Sequence, residues 1–364
     1  MYKECALIRT LCAGSLLFLL AAGGMLGCDD DATEPENQAP GAPEVIPIDF
    51  TVLPGDSVLI MASATDPDGD HLAYDWTFSD GSPLTAAGTQ LLWTAPAENA
   101  TVGFTVEVTD GRGGRHTTDG TITVHPNAAY PYQTPFEGTL EPDLGALQEE
   151  AVAQGAPAGT CHFWASVAVT WTNSAVIVFT GVPTLAFLGA LTHTPVWFPP
   201  STWLWAYTIP WGSGLATVEL YATLDGATEI DWQMLISGTM QEYDRFEWLT
   251  GTSLTDATGG DWLLYDHRYP DTHTEALRID WERYAQDDRE LLYRNVLASS
   301  ETYGDSLRYA IDGAEASVRL DDVSEGTHAR VVWDVETGAG RFIGASGDSC
   351  CWGPAPEYDD IDCE

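Results

Sequence analysis

Three aspartates at alternating positions form the pattern in this chain with the clearest metal chemistry. Asp66, Asp68 and Asp70 surround Gly69, which permits a tight turn. Carboxylate oxygens placed around a turn suit calcium, which takes several oxygen ligands. The bidentate glutamate that completes an EF-hand is missing, and aspartate commonly caps a tight turn without any metal. We favour turn capping, with calcium as the alternative and as the only cofactor that the sequence suggests.

A dense group of aromatic residues is the feature that suggests ligand binding. Exposed aromatic rings stack on sugars or line apolar pockets, whereas buried rings fill a core. We favour the core interpretation, and full burial without a cavity would remove the support for a small-molecule site. The group comprises Trp197, Phe198, Trp203, Trp205, Tyr207 and Trp211.

Catalytic motifs are missing from the sequence. It has no GxSxG elbow, HExxH helix, Walker loop or GxGxxG after a predicted strand. Asp266 and His267, with Asp271 and His273 nearby, can in principle act as acid and base or hold a metal, but a solvated hairpin loop is the favoured interpretation. We therefore expect a protein that is not an enzyme.

Four cysteines are available for disulfides in the exported part of the chain, and they allow three pairings. Adjacent cysteines pair with each other only in a strained ring, so Cys350 and Cys351 should have separate partners. We favour Cys351 with Cys363 and Cys350 with Cys161. A metal site is the alternative, but the paired CxxC spacing typical of such sites is missing.

The N-terminus has the layout of a secretory signal peptide over residues 1–27. Lys3 and Arg9 precede an apolar run from Leu11 to Leu26, which is shorter than the ~20 residues of a spanning helix. The sequence Met25-Leu26-Gly27-Cys28 resembles the lipobox of bacterial lipoproteins, although Met replaces the usual Leu. That resemblance implies acylation of Cys28 and anchoring in a bacterial membrane. An ordinary signal peptide that contains a cysteine is the alternative.

The segment 28–43 is predicted to be a disordered tether, because it is acidic, contains Pro and Gly and lacks apolar periodicity.

The chain has a formal charge of −41, and its only lysine is Lys3. Binding to nucleic acid depends on clustered Lys and Arg. We therefore exclude nucleic acid as a partner and expect an exported, lipid-anchored protein that is periplasmic or surface-exposed.

Residues 44–126 alternate short β-rich runs with turn residues, which predicts a β-sandwich. The runs are Val58 to Ala62, Leu72 to Phe78, Gln90 to Thr94, Val102 to Val108 and Gly120 to Val124. The stretch from Ala64 to Trp76, with its acidic turn, and the stretch from Val106 to Gly114 resemble the Ig-like repeats of bacterial surface proteins, especially PKD and cadherin-like domains. That resemblance implies a tryptophan on a core strand.

Residues 127–160 form a Pro- and Gly-containing linker with one short predicted helix, Leu144 to Ala153. Residues 161–364 read as amphipathic strands joined by hairpin turns, which predicts an antiparallel meander curled into a barrel or half-barrel. The chain carries no charged residue between Glu150 and Glu219. In this stretch, Ala175 to Leu191 is apolar enough to raise the question of a membrane span. Pro183, two glycines and β-branched residues favour paired buried strands instead.

The C-terminal part is also similar to a group of uncharacterised bacterial lipoproteins. The shared elements are Trp203-Leu204-Trp205, the run from Gly260 to Asp266, Cys351-Trp352 and Asp362-Cys363. This resemblance implies no known activity, and it agrees with a Cys351–Cys363 bond.

Three functions remain open from the sequence. The leading hypothesis is a non-enzymatic, lipid-anchored envelope protein whose β domain binds an apolar ligand, a carbohydrate or another envelope component. The second is a structural or adhesive surface protein without a small-molecule site. The third is a hydrolase acting on extracellular polymers, which requires two facing carboxylates in a cleft.

Overall fold

The architecture comes from a computed structural model of the chain. It describes residues 36–81, 88–135, 137–140, 160–211, 214–238, 243–285, 288–354 and 359–363, with backbone alone for 169–179. Residues 39–364 form one compact unit. The signal peptide, residues 28–35 of the tether with Cys28, and the helix predicted over Leu144 to Ala153 lie outside the described residues.

The first part of this unit is a sandwich of two β layers. One layer has the order β1-β3-β5, and the other has the order β4-β6-β7-β2, in which β2 runs parallel to β7. Trp76 is 3% exposed and lies between the layers with Phe104 and Trp93. The Ig-like sandwich and its core tryptophan are therefore confirmed. The strands are β1 (Glu44–Ile46), β2 (Phe50–Val52), β3 (Ser57–Ser63), β4 (Ala73–Phe78), β5 (Gln90–Thr94), β6 (Ala100–Thr109) and β7 (Arg115–Val124).

The second part is an antiparallel meander in which each strand pairs with the next, as predicted. It continues the sheet of the sandwich, because β2 also pairs with β8. Its strands are β8 (Val196–Phe198), β9 (Thr202–Trp211), β10 (Gly214–Asp225), β11 (Glu229–Gly238), β12 (Tyr243–Leu254), β13 (Gly259–Tyr265), β14 (Glu275–Ala285), β15 (Asp288–Asn295), β16 (Ser306–Asp312), β17 (Glu315–Asp322), β18 (Thr327–Asp334), β19 (Gly340–Ile343), β20 (Ser349–Trp352) and β21 (Asp360–Ile361).

A long helix, α1 (Cys161–Leu191), precedes the meander. The expectation of paired strands over Ala175 to Leu191 is therefore wrong. A continuous apolar run does not distinguish a buried helix from buried strands by periodicity, and tertiary packing overrides local β propensity. In the part of the chain that the structure describes, none of the helices has the length and hydropathy of a membrane span.

Polar groups fix the start of α1. Thr160 caps it, because its hydroxyl accepts a hydrogen bond from the Phe163 amide at 3.3 Å. The carboxylate of Asp360 accepts a second bond from the Cys161 amide at 2.7 Å. A negative charge at this end is favourable because it meets the positive end of the helix dipole.

The meander curls around α1 as a half-barrel. Strands β9 and β10, the central strand β14 and the late strands β19 and β20 all contact the helix, so the sheet must bend to reach it from both sides. Alternate side chains along each strand point towards the helix, as the period of two requires. Six fully or almost fully buried tryptophans line this inner face: Trp232, Trp248, Trp262, Trp281, Trp333 and Trp352.

The outer face of β9 and β10 packs against the sandwich. Leu204 is 1% exposed and belongs to the core of the Ig-like part, and Ala206 and Tyr221 pack against that core. The hydroxyl of Thr217 lies 3.8 Å from the sulfur of Met61. The two parts therefore share both a sheet and a hydrophobic core.

Two disulfides hold the C-terminus and the helix. Cys161 is bonded to Cys350, which ties the first residue of α1 to β20 across 189 residues. Cys351 is bonded to Cys363, which closes a loop at the C-terminal end between cysteines that are 12 residues apart. This is the pairing favoured from the sequence.

Candidate functional site

Three of the aromatic residues singled out in the sequence lie on the inner face of the half-barrel. Trp203, Trp205 and Tyr207 alternate along β9 with Leu204 and Ala206, which face the sandwich. Their exposed fractions are 5%, 3% and 6%. These three side chains are part of the core.

Trp203 stands at the centre of an aromatic group that we name the Trp203 cluster: Tyr130, Tyr132, Trp197, Trp203 and Trp205. The ring of Tyr130 meets Trp203 edge-on at 5.4 Å and Trp205 at 5.1 Å. The ring centroid of Tyr132 lies 5.8 Å from that of Trp203. Trp197 stacks on Trp203, with 6.4 Å between their ring centroids. Sequence reasoning missed both tyrosines because they lie in the segment assigned as a linker, where no periodicity marks them.

The Trp203 cluster contains three buried polar atoms that have no partner in the described part of the chain. Among the described residues, no hydrogen-bond partner is within reach of the Tyr130 hydroxyl or of the indole Nε1 of Trp197 and Trp203. Burial also raises the pKa of Tyr130, so its hydroxyl stays neutral. An unsatisfied buried donor costs about 1–3 kcal/mol. The cluster is therefore less stable than a purely apolar core of the same shape.

Tyr207 fixes the end of α1. Its hydroxyl donates to the carbonyl of Ala186 at 2.6 Å, and its ring stacks on His193 at 4.7 Å. A Cβ on Gly189 would lie only 2.6 Å from that hydroxyl, so only glycine fits there. Burial raises the pKa of Tyr207 to about 12. Tyr207 is thus a structural residue rather than a free ligand.

Trp211 lines an open groove between α1 and β9, which we name the α1–β9 groove. Leu185 and Val182 project from the helix with exposed fractions of 71% and 45%. Trp211 is half-buried and packs edge-on against Trp248 at 5.5 Å, which holds its ring in place. The groove measures about 450 Å³ and is lined by Val182, Leu185, Ala186, Ile209, Pro210 and Trp211.

The acidic turn of the Ig-like part is held by its own backbone. One oxygen of Asp66 accepts from the amides of Asp68 and Asp70 at 2.9 and 3.1 Å. The guanidinium of Arg112 lies 3.3 Å from the other end of the turn, at Asp70. The three carboxylates each bring an oxygen within 4.8 Å of the others. The turn thus has the hydrogen bonds of a capped turn and an arginine beside it.

The loop after β13 differs from the solvated loop expected for Asp266 and His267. Asp266 is fully buried, and both its oxygens accept from the guanidinium of Arg268, at 2.8 and 2.7 Å. These bonds lower the pKa of Asp266, and burial lowers the pKa of His267. The two charge-assisted hydrogen bonds between Asp266 and Arg268 stabilise the conformation of this loop, because each charge is paired with the other.

His273 and Asp271 do not join Asp266. His273 lies 2.6 Å from the carboxylate of Glu247 and stacks on Tyr265 at 4.0 Å, while Asp271 is exposed. The structure therefore does not bring the four residues together, because Asp266 is paired with Arg268 and His273 with Glu247.

A charged network that the sequence did not reveal lies where the meander meets the sandwich. Glu219 on β10 is fully buried, and Arg245 on β12 reaches its two oxygens at 2.9 and 3.2 Å. Tyr221 donates to the same carboxylate at 2.7 Å, and Glu44 of β1 lies 3.9 Å from Arg245. Burial raises the pKa of Glu219, and its hydrogen bond to Tyr221 and the charge of Arg245 oppose that effect.

Comparison with known proteins gives a likeness to a solved structure and a match to a family model. No curated protein matches the chain. Among solved structures, the chain is similar to SGBP-B of the Bacteroides ovatus mixed-linkage glucan utilization locus, in complex with a mixed-linkage heptasaccharide, at 10% identity and a TM-score of 0.19. The match covers 80% of this chain and 66% of that one. Residues 37–125 match the family model of a bacterial Ig domain, so this segment is an Ig-like domain.

Proposed function

We propose that this chain is an exported lipoprotein, anchored through Cys28, that binds an apolar ligand in the α1–β9 groove. The observation that carries the proposal is the wall of the groove, which combines exposed aliphatic side chains with one indole ring. Contact of a side chain as apolar and exposed as Leu185 with water is unfavourable in free energy. A contiguous apolar patch on a folded protein often marks a binding surface.

The chemistry of the wall selects the ligand. The described side chains that line the groove are those of Val, Leu, Ala, Ile, Pro and Trp, so among them the indole N–H of Trp211 is the one hydrogen-bonding group. A sugar ring would lose its bonds to water without replacement there. A volume of about 450 Å³ falls within the range of small-molecule sites. The formal charge of −41 disfavours an anionic headgroup, so we expect a hydrocarbon chain on a neutral molecule.

Binding of an uncharged apolar dye tests the groove. We expect the protein to bind 1-N-phenylnaphthylamine and Leu185→Ser to weaken that binding. Removing the leucine contact costs about 1.4 kcal/mol, which is about tenfold in Kd. Fluorescence titration of the purified protein measures the effect.

A matched control separates the groove from apolar surface in general. Leu92, on β5 of the Ig-like domain, is 58% exposed. Leu92→Ser should leave the Kd unchanged, because its side chain lies outside the groove. Equal weakening by both substitutions would mean that the dye reports general hydrophobicity. A protein that binds no dye at all would favour the structural or adhesive function.

The lipid anchor is tested by mass. We expect the protein purified from bacterial membranes to begin at Cys28 and to carry acyl chains, since stable anchoring takes more than one chain. Cys28→Ser should remain at full precursor length without acyl chains. Cys12→Ser, in the segment that is removed, should mature normally. A cleaved chain without acyl groups in the unaltered protein would identify an ordinary signal peptide.

A further inference from the structure

The Trp203 cluster has a surface of its own, apart from the α1–β9 groove. Trp203 and Trp205 are buried, whereas Tyr130, Tyr132 and Trp197 are only partly buried and form a rim of aromatic rings. Aromatic rims of this kind offer flat faces for stacking.

This group differs from the other tryptophans of the core because rings whose polar atoms lack a partner among the described residues lie at its surface. Trp76, Trp232 and Trp352 each donate their indole N–H to an acceptor, at 2.9, 2.8 and 2.7 Å. Trp93 and Trp262 also lack an acceptor among the described residues, but their rings are deeply buried. In the Trp203 cluster, two of the three rings with unpaired atoms reach the surface.

We propose that the Trp203 cluster is a second binding site and that it takes a neutral sugar ring. The two indole groups only donate, and a tyrosine hydroxyl can do so too, so a ligand that satisfies them must bring acceptor oxygens. Ring and hydroxyl oxygens of a sugar supply these, and its C–H faces stack on the rim.

Other ligand classes fit less well. A hydrocarbon would gain burial of apolar surface but would supply no hydrogen bond to the three polar atoms, so their cost would remain. An anion would enter a cluster whose five side chains carry no positive charge, on a chain of charge −41. Because the donors lie beneath the rim, the rim side chains must shift for the ligand to reach them.

The substitution that tests the site is Tyr130→Phe, since it removes one hydroxyl and keeps the ring. The probes are cellohexaose, maltohexaose and laminarihexaose, titrated calorimetrically into the purified full chain. We expect at least one of them to bind, and Tyr130→Phe to weaken that binding by about tenfold. The midpoint of thermal unfolding should stay equal or rise, because the hydroxyl has no partner among the described residues to lose.

Two further variants make the outcome decisive. Tyr303→Phe, at a tyrosine that is 57% exposed elsewhere, should change neither binding nor unfolding. Leu185→Ser should keep full sugar binding, which separates this site from the groove. The proposal is overturned if none of the three sugars binds, if Tyr130→Phe binds as well as the unaltered protein, or if Tyr130→Phe lowers the unfolding midpoint.

Discussion

Replacing both Cys161 and Cys350 by serine should lower the free energy of unfolding by about 5 kcal/mol, on the loop-entropy account of disulfides. The bond closes a loop with a separation of 189 residues, so its loss frees most of the meander in the unfolded chain. It also releases the first turn of α1 from β20. Urea denaturation under non-reducing conditions measures the difference.

The second disulfide provides the control. Cys351 and Cys363 are separated by 12 residues, and the same account gives a loss of about 3 kcal/mol for their double serine variant. The long-loop variant should therefore be the less stable of the two. Equal stability of the two variants would contradict this order and the loop-entropy account on which it rests.

The Ig-like domain could be predicted because its signals are local. The turn residues from Asp66 to Asp70 and the alternation around Trp76 need only their own neighbours to fold as they do. The same holds in the meander, where Ile279 and Trp281 face inwards and Asp280 faces outwards, as the alternation predicts. Short-range patterns therefore give the strands and their buried faces.

Helix α1 could not be predicted because its environment is built from distant strands. Gly189 looks like a residue that weakens a helix, yet the hydroxyl of Tyr207 occupies the space that a Cβ would take. Pro183 removes one helical hydrogen bond and is nevertheless buried within α1. Packing against the half-barrel stabilises the helix, and this contribution is invisible in the sequence of the helix itself.

The sequence predicts only some residues of the candidate sites, because the sites too are formed by elements that are distant in the sequence. Alternation places Trp203 and Trp211 on the same face of β9, but the packing at the two ends of the strand buries Trp203 in the core and leaves Trp211 at a groove beside α1. Tyr130 completes the Trp203 cluster from a segment without periodicity. The partnership of Glu219 with Arg245 joins strands that are not neighbours in the sheet, so no spacing rule predicts it.

Replacing Arg245 by methionine should destabilise the protein by about 3 kcal/mol at about pH 7. The substitution keeps the aliphatic stem and leaves the buried carboxylate of Glu219 with Tyr221 as its hydrogen-bonding partner. Arg245 has a φ of 49°, and methionine is no more strained in that conformation than arginine. Thermal or urea unfolding measures the loss. Arg319→Met, at an exposed pair with Asp321, should cost less than about 1 kcal/mol.

The destabilisation should depend on pH in a direction set by Glu219. Its folded-state pKa is raised above the ordinary value of 4.5, so the folded protein holds the proton more tightly and stability falls as pH rises through that raised pKa. The charge of Arg245 lowers this pKa, so its removal raises the pKa of Glu219 further. Stability is then lost over a wider range of pH. The difference in free energy of unfolding between Arg245→Met and the unaltered protein should therefore shrink towards about pH 4, where Glu219 is protonated in both.

In the Glu219→Gln background, Arg245→Met should show no such dependence on pH, because glutamine does not titrate. A loss that stayed constant from about pH 4 to about pH 7 would mean that Arg245 stabilises the junction through its packing rather than through the buried charge.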